Sequence, residues 1–210
     1  MKNAAPLPSE ILLVGGGGHC RSLLDVLSTL PIRATGIVDN DAGLQRVLDI
    51  PVIGTDADLE RLHSQYAAAV VAVGQIKSSA VRCRLFNRLR DIGYTLPIIC
   101  STLAHISTWA KLDIGTAVMH YAVINAGARI GENCIINTRA IIEHDVTIGA
   151  HCHISTGAIL NGGVSVGDGV FIGSGALIRE GVCIGEGCVI GMGATIRHDV
   201  PARTVIKEKA

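Results

Sequence analysis

A histidine between two carboxylates, Glu143-His144-Asp145, combines residue types and spacing that suit proton transfer. An imidazole can take up and return a proton near neutral pH, and a carboxylate beside it fixes its tautomer and orientation. Successive side chains of a strand point to opposite sides, so at most one carboxylate faces the ring unless the chain turns there. The triplet predicts His144 as a general base. The alternative interpretation is a solvated surface histidine.

A second candidate site is the glycine-rich loop at residues 15–19, Gly-Gly-Gly-Gly-His, which follows an apolar run at residues 11–14. Such a loop between a strand and a helix brings backbone N–H groups against a phosphate. Asp39 ends the next predicted strand, where this arrangement places a group for a ribose or sugar hydroxyl. Cys20 replaces the third glycine or alanine of the dinucleotide fingerprint, and the unit is too small for a full dinucleotide, so a nucleoside diphosphate fits better than NAD. A tight turn without a ligand is the alternative.

The elements that position His144 are short repeats. Residues 106–201 read as sixteen consecutive hexads, each with Ile, Leu or Val first and a small or β-branched residue fifth. One hexad supplies a short strand and a turn, and three hexads close a triangular coil whose aliphatic residues stack inward. Glycine or asparagine often follows the aliphatic residue, where we expect a backbone conformation that a Cβ would resist. The repeat predicts a parallel β-helix of a little over five coils.

The glycine loop belongs to a different pattern. Strand-like runs near residues 11–14, 34–38, 52–53, 68–73 and 96–99 alternate with helical patterns ending near Pro31 and at residues 56–63 and 78–92. This alternation predicts a small parallel sheet of Rossmann type. We therefore expect two domains, an α/β domain over residues 1–100 and a β-helix over residues 101–210.

Composition narrows the function classes. The 18 Lys and Arg balance the 18 Asp and Glu, and no basic run is present, so a nucleic-acid or anionic-membrane partner is not suggested. The seven cysteines have no metal-like spacing. Residues 1–10 show no signal-peptide pattern, and no apolar run reaches the roughly 18 residues that a membrane span needs. We expect a cytoplasmic protein.

A glycine loop with histidine in an α/β domain, joined to hexapeptide repeats, resembles the bacterial sugar acyltransferases of the sialic acid O-acetyltransferase and UDP-bacillosamine N-acetyltransferase type. The most specific stretch is residues 137–145, Asn-Thr-Arg-Ala-Ile-Ile-Glu-His-Asp, followed by Ile148-Gly149 and His153-Ile154-Ser155. The left hand of the β-helix follows from this resemblance. Cys100 departs from the family's usual entry segment, and the usual closing Gly-x-Pro-Ala turn is missing.

The resemblance implies a homotrimer that binds acetyl-CoA between adjacent β-helices and a nucleotide sugar in the α/β domain, without a metal. It implies His144 as the catalytic base and favours Asp145 over Glu143 as its partner. The other implied site residues fall into three groups. Gly15, Gly17, Gly18, His19, Asp39, Gly74 and Gln75 would bind the sugar nucleotide, Asn137 would orient the acceptor, and His153, Ser174 and Gly191 would line the coenzyme, with the N–H of Gly162 as oxyanion donor.

The function that this reading predicts is N-acetylation of the 4-amino group of a nucleotide-linked 4-amino-4,6-dideoxy sugar, by direct transfer from acetyl-CoA, for surface glycan or glycoprotein synthesis. O-acetylation of a sialic acid or another sugar is the alternative. A metal enzyme like γ-carbonic anhydrase is less favoured, because no histidine stacks on another at an offset of eighteen residues. A non-catalytic nucleotide-sugar binder is also less favoured. His120 and His198 lack flanking motifs and are expected at the surface.

Overall fold

The structure, a computed structural model, describes residues 7–207. Its first part alternates strands and helices. In chain order these are β1 (Glu10–Val14), α1 (Gly18–Leu27), β2 (Arg33–Val38), β3 (Arg46–Val47), β4 (Ile50–Gly54), a 3₁₀ turn (Asp56–Asp58), α2 (Leu59–His63), β5 (Ala69–Val71) and α3 (Ala80–Ile92).

The five strands form one sheet in the order β3-β4-β2-β1-β5, parallel except for the β3–β4 pair. Strand β1 lies between β2 and β5, and its four apolar residues are completely buried on both faces of the sheet. Ile11 and Leu13 pack towards α1, whereas Leu12 and Val14 pack towards α2 and α3. Parallel strands end at a common edge, so the glycine loop, Asp39 and the segment after β5 lie together there.

Two details of this sheet differ from the sequence prediction. The strand predicted at residues 96–99 is wrong as a strand of this sheet, since Ile99 and Cys100 pair with Ala117 and Val118 in the β-helix. Within residues 7–207, only a single bridge, from Ala68 to Thr95, extends the sheet beyond β5. The short strand β3 was not predicted, because two residues are too few to show a period.

The second part, as far as residue 207, consists of eighteen two-residue strands in three parallel sheets, which we call faces 1, 2 and 3. Face 1 holds β6 (Ile99–Cys100), β9 (Ala117–Val118), β12 (Ile135–Ile136), β15 (His153–Ile154), β18 (Phe171–Ile172), β21 (Val189–Ile190) and β23 (Val205–Ile206). Face 2 holds β7 (His105–Ile106), β10 (Val123–Ile124), β13 (Ile141–Ile142), β16 (Ile159–Leu160), β19 (Leu177–Ile178) and β22 (Thr195–Ile196). Face 3 holds β8 (Lys111–Leu112), β11 (Arg129–Ile130), β14 (Thr147–Ile148), β17 (Ser165–Val166) and β20 (Cys183–Ile184).

The first hexad residues stack as the repeat predicts. Ile124 pairs with Ile142 and Ile142 with Leu160, each eighteen residues further on, and all three are completely buried. Small fifth-position residues such as Ala140 and Ala158 share the same core. Stability of each coil therefore comes from its neighbours rather than from contacts within it.

The turn conformation lies at a different residue from the one predicted. The left-handed backbone occurs at the fourth hexad position, as at Gly157 (φ 66°) and Asp145 (φ 60°), not directly after the aliphatic residue. Glycine after the aliphatic residue has a steric reason instead. A Cβ on Gly131 would lie 2.8 Å from the backbone nitrogen of Ala150 in the next coil.

The hexad frame also changes at the C-terminal end, where the predicted sixteenth unit is wrong. The repeat predicts Val200 at a fifth position, but it bridges Ile184, a first-position residue only sixteen positions earlier. The turn is shortened to residues 197–199, and the Asp199 carboxylate accepts a hydrogen bond from the Cys183 N–H at 2.8 Å. At the other end, Cys100 adds one inward-facing position before Ile106.

The predicted domain ranges, 1–100 and 101–210, begin and end in residues outside the described part, and the division between them stays a prediction. The prediction that residues 1–10 contain no signal peptide falls mostly on residues outside the described part. Among residues 7–207, no helix has both the length and the apolar character required to cross a membrane.

The inward and outward residues of one strand give a direct test of the core. Ile148 is 3% exposed, whereas its neighbour Thr147 points outward and is exposed. We expect Ile148→Ala to lower the free energy of unfolding by about 2–5 kcal/mol, because it leaves a cavity between two coils. Thr147→Ala should change it by less than about 0.5 kcal/mol. Urea unfolding followed by circular dichroism measures both, and equal effects would contradict the stacked core.

Candidate active site

His144 and Asp145 form a hydrogen-bonded pair on the outside of the β-helix. They follow β13 at the corner between faces 2 and 3, and the left-handed backbone of Asp145 turns the chain there. Nδ1 of His144 lies 2.9 Å from Oδ2 of Asp145, and the side chains are 66% and 73% exposed. In this arrangement Nδ1–H donates to the carboxylate, which leaves the Nε2 lone pair free towards solvent.

Two glycines from the neighbouring coils make room for this pair. A Cβ on Gly162 would lie 2.6 Å from Nε2 of His144, so the imidazole rests directly on that glycine. A Cβ on Gly127 would lie 2.4 Å from Oδ1 of Asp145. Gly127 was not predicted, although its offset of eighteen residues from Asp145 could have revealed it. Within residues 7–207 the N–H of Gly162 has no acceptor, a property that it shares with other third-position residues such as Thr156.

Glu143 does not contact His144. Its Oε2 accepts a hydrogen bond from Nδ2 of Asn125 at 2.9 Å, one coil below on face 2. Of the two flanking carboxylates, the structure brings only Asp145 to the imidazole.

A separate cleft of about 420 Å³ lies between the α/β domain and the β-helix. It joins residues from three places: the glycine loop, the segment after β5, and face 1 of the β-helix. The lining residues are Gly18, His19, Ser22, Gly74, Gln75, Ile76, Asn137 and His153.

The four glycines of the loop differ in their structural roles. Gly15 (φ 109°) could not carry a Cβ, which would lie 2.4 Å from Cγ2 of Val73. The N–H of Gly16 donates to Oδ2 of Asp39 at 2.6 Å. At Gly17 and Gly18, by contrast, a Cβ would meet nothing within 4 Å. The fold itself does not require glycine at these two positions, and their N–H groups are at the beginning of α1, which has no side-chain cap.

Asp39 has a structural role that the sequence did not indicate. Besides the bond from Gly16, its Oδ1 accepts a hydrogen bond from the N–H of Asp41 at 2.8 Å. Asp39 and Gly15 line a smaller cavity of about 170 Å³ at the same sheet edge, beside Asn40, Asp56 and Arg84. Asp39 therefore holds the glycine loop in shape while facing this second cavity.

The two histidines of the cleft are neutral. His153 is 8% exposed, and its ring bridges the domains: Nδ1 lies 2.8 Å from the Gln75 carbonyl and Nε2 lies 3.1 Å from Nδ2 of Asn137. Burial lowers the pKa of His153 to about 4, although the bond to Gln75 opposes the shift. Burial, assisted by the charge of Arg82, lowers the pKa of His19 to about 3. Nε2 of His19 and Oε1 of Gln75 are buried without a hydrogen-bond partner among the described residues.

A buried arginine behind the cleft was missed by the sequence analysis. Arg82 on α3 is 1% exposed, and its guanidinium donates to the carbonyls of Val73 and Asn133. The Asn133 side chain also contacts Nδ1 of His151 at 2.9 Å. Arg82 lies three and four residues before Leu85 and Phe86, so its place on the buried face of the helix was a readable signal.

The prediction that His120 is a surface residue is wrong. Its side chain is only 17% exposed, with Nδ1 2.6 Å from Oγ of Ser101 and Nε2 3.1 Å from Oδ2 of Asp25. Because Asp25 belongs to α1, the contact ties that helix to the first coil. A side chain at a third hexad position is buried where the α/β domain packs against the coil, and the repeat alone does not show where that domain packs.

The residues expected to line the coenzyme do not meet within one chain. Ser174 and Gly191 follow strands of face 1, where Ser174 bonds Ser155 at 2.9 Å and the Gly191 N–H donates to the Ile206 carbonyl. Gly162 follows face 2, at the corner of His144. One side of the triangular coil therefore separates His144 from Asn137 and His153. No cluster of three or more His, Cys, Asp or Glu side chains suited to a metal occurs in residues 7–207.

Family models match both parts of the chain. Residues 10–89 match the PglD N-terminal domain, and residues 127–162 and 163–198 match the bacterial transferase hexapeptide model of six repeats. No curated protein sequence matches the chain significantly.

Several solved structures share the whole fold. A His-to-Asn mutant of perosamine N-acetyltransferase from Caulobacter crescentus, in complex with CoA and GDP-perosamine, is 34% identical, with a TM-score of 0.90 over 98% of this chain and 96% of that one. The acetyltransferase domain of PglB from Neisseria gonorrhoeae, in complex with acetyl coenzyme A, is 29% identical, with a TM-score of 0.89 over 95% and 96%. WeeI from Acinetobacter baumannii, 23% identical over 94% and 96% with a TM-score of 0.83, shares the fold.

These matches confirm the resemblance seen in the sequence and the predicted fold, a Rossmann-like domain followed by a left-handed parallel β-helix. They also confirm the predicted class of enzyme and its acyl donor. The chain belongs to the hexapeptide-repeat sugar acetyltransferases of the PglD and NeuD type, which use acetyl-CoA.

Proposed function

We propose that this enzyme transfers an acetyl group from acetyl-CoA to the 4-amino group of a nucleotide-linked 4-amino-4,6-dideoxy sugar, with His144 as the general base. The observation that carries this proposal is the His144–Asp145 pair, with Nδ1 bound to the carboxylate and Nε2 open to solvent. The relative from Caulobacter crescentus, a perosamine N-acetyltransferase crystallised with GDP-perosamine, supports an amino sugar over a sialic acid as acceptor.

The interdomain cleft is the proposed site of the sugar nucleotide. The open space at Gly17 and Gly18 allows the close approach of a diphosphate to the N–H groups at the start of α1. The cavity beside Asp39, at the same sheet edge, is the proposed place of the nucleoside. Asn137 and His153 are the polar groups that the β-helix contributes to the cleft and would orient the sugar.

In the proposed reaction, the acceptor nitrogen attacks the thioester carbonyl while Nε2 of His144 takes its proton. The carbonyl oxygen becomes an oxyanion, for which the N–H of Gly162 is the proposed donor. Collapse of the tetrahedral intermediate breaks the C–S bond, and the protonated His144 returns the proton to the thiolate. The products are the N-acetylated nucleotide sugar and CoA. No acyl-enzyme is required.

The proposed active site is shared between two copies of the chain. His144 and the cleft lie at different corners of the same triangular coil, so one chain does not bring them together. Face 2, which leads to His144, carries an outward apolar row that suits contact with another β-helix. The row consists of Val123, Ile141, Ile159 and Leu177, the last 40% exposed. In a closed homotrimer, the apolar row of each chain would be covered by a neighbouring β-helix, and His144 of one chain would meet the cleft of another.

The proposed compartment is the cytoplasm. All seven cysteines are unpaired in the structure, and four of them are buried. Free thiols in this number fit a reducing environment.

Substitution of His144 tests the proposed base. We expect His144→Ala to lower kcat by at least about a hundredfold while leaving acetyl-CoA affinity nearly unchanged, because only proton transfer is lost. The matched control is His198→Ala, an exposed histidine that follows β22 of face 2, in the shortened last turn. The measurement is release of free CoA thiol across UDP-, GDP- and dTDP-linked amino sugars. Full activity of the His144 variant would remove it as the base.

Substitution of Gly17 tests the phosphate contact. We expect Gly17→Val to raise the KM for the nucleotide sugar by about tenfold or more, because the side chain keeps the phosphate from the backbone. The KM for acetyl-CoA and the Tm should stay the same, since an added Cβ meets nothing within 4 Å. An unchanged KM for the sugar nucleotide would mean that this loop is only a turn.

Subunit mixing tests the shared site. His144→Ala lacks the base and Gly17→Val lacks the phosphate contact, so each homotrimer should be nearly inactive at low sugar-nucleotide concentration. Co-expressed, they should form mixed trimers with about a third of wild-type activity, because one of the three interfaces in each mixed trimer then joins two intact halves. Mixed trimers purified through two different affinity tags would be assayed. Failure to regain activity in verified mixed trimers would place the whole site within one chain.

A further inference from the structure

Arg82 carries a positive charge in the interior without a carboxylate beside it. Its side chain is 1% exposed, and within residues 7–207 its hydrogen bonds go to the carbonyls of Val71, Val73 and Asn133 and to Oδ1 of Asn133. Burial lowers the pKa of Arg82 to about 10, so the guanidinium remains a cation at neutral pH. A buried charge that only dipoles solvate is costly, and one without a partner points to a role outside packing.

This charge lies directly behind the wall of the interdomain cleft. Val73, whose carbonyl accepts from Arg82, is followed by Gly74 and Gln75, which line the cleft. The charge acts on the opposite walls as well, since it contributes to the lowered pKa of both His19 and His153. Among the described residues, no Lys or Arg lines this cleft, while Arg84 lines the smaller cavity beside Asp39.

We propose, on the basis of the proposed function, that the buried guanidinium of Arg82 attracts the diphosphate of the sugar nucleotide through the cleft wall. The hydrogen bonds of Arg82 also hold residues 73–75 against Asn133. A charge in a low-dielectric interior acts over several ångströms with little screening, so direct contact is not needed. The diphosphate would be the missing counter-charge. Arg82 is thus a positioning residue, and the backbone amides of the glycine loop make the direct contacts.

Asn133→Asp separates charge from structure. Oδ1 of Asn133 lies 2.8 Å from Nη2 of Arg82, so an aspartate there would form an ion pair of nearly the same shape. Asn133 has a left-handed backbone (φ 53°), which aspartate tolerates. The variant gains this ion pair but loses the Nδ2 donor that lies 2.9 Å from Nδ1 of His151 and 3.4 Å from the Arg82 carbonyl, so its Tm should stay close to that of the wild type while the charge of Arg82 is neutralised.

The readout is the Kd of the nucleoside diphosphate whose sugar conjugate the wild-type enzyme turns over, measured by calorimetry at pH 8.5, above the ordinary pKa of an imidazole such as the neighbouring His151. We expect Asn133→Asp to raise this Kd about tenfold and to leave the Kd of the uncharged nucleoside unchanged. The KM for the sugar nucleotide should rise in parallel, with kcat nearly constant. A purely structural role would weaken both ligands or neither.

Arg82→Lys, which keeps the charge but loses the forked hydrogen bonds, should retain the Kd of the diphosphate within about threefold. If Asn133→Asp does not fold, Arg82→Gln makes the same comparison, because it keeps a donor and removes the charge. If wild type and the charge-neutralised variant bind the diphosphate with equal Kd, the proposed role of Arg82 is wrong, whereas the proposed function of the enzyme still stands. If the wild-type enzyme binds no nucleoside diphosphate, the proposed function fails together with it.

Discussion

The stacking of residue n beneath residue n+18 is the constraint on which most of this structure depends. Each coil exposes an apolar inner face that only the coils above and below can cover, and the column of Ile, Leu and Val residues fixes the register of all three faces. Since the register is fixed, every outward side chain has a defined neighbour one coil away. The active-site candidates are arranged through this same offset.

His144 illustrates how register becomes chemistry. The imidazole fits against the next coil because Gly162, eighteen positions on, has no Cβ. The carboxylate of Asp145 fits against the previous coil because Gly127 has no Cβ. The left-handed turn at Asp145 then brings two sequence neighbours to the same side of the chain. A strand continuing through this point would have sent them to opposite sides. The hydrogen-bonded pair is therefore a product of the corner and of two neighbouring coils.

The contact between the two parts of the chain depends on buried polar groups. The backbone carbonyl of Gln75 contacts His153, and its side-chain amide donates to the Gly169 carbonyl. Arg82, seven residues after Gln75 in sequence, donates to Asn133. On the other side of the sheet, Asp25 and Ser101 hold His120. Such bonds are directional, so they fix the angle between the glycine loop and face 1, and with it the shape of the cleft.

The sequence by itself determined the repeat, the inward column, the α/β pattern of the first part and the Glu143-His144-Asp145 triplet, because each of these is local or periodic. It also pointed to the glycine loop, since a strand, glycines and a helix follow one another along the chain. Only the tertiary structure decided that His153 and Asn137 belong to the cleft, that His120 is covered, that Asp39 holds the loop and that Arg82 lies behind the wall. Except for the Asp39 bond, which lies within the α/β domain, these depend on how that domain packs against face 1, and contacts between residues 51 to 95 positions apart leave no periodic trace in a single sequence. The shortened last turn could not be predicted from the sequence for a related reason. Val200 suits both a fifth and a first hexad position, and only its pairing with Ile184 distinguishes the two.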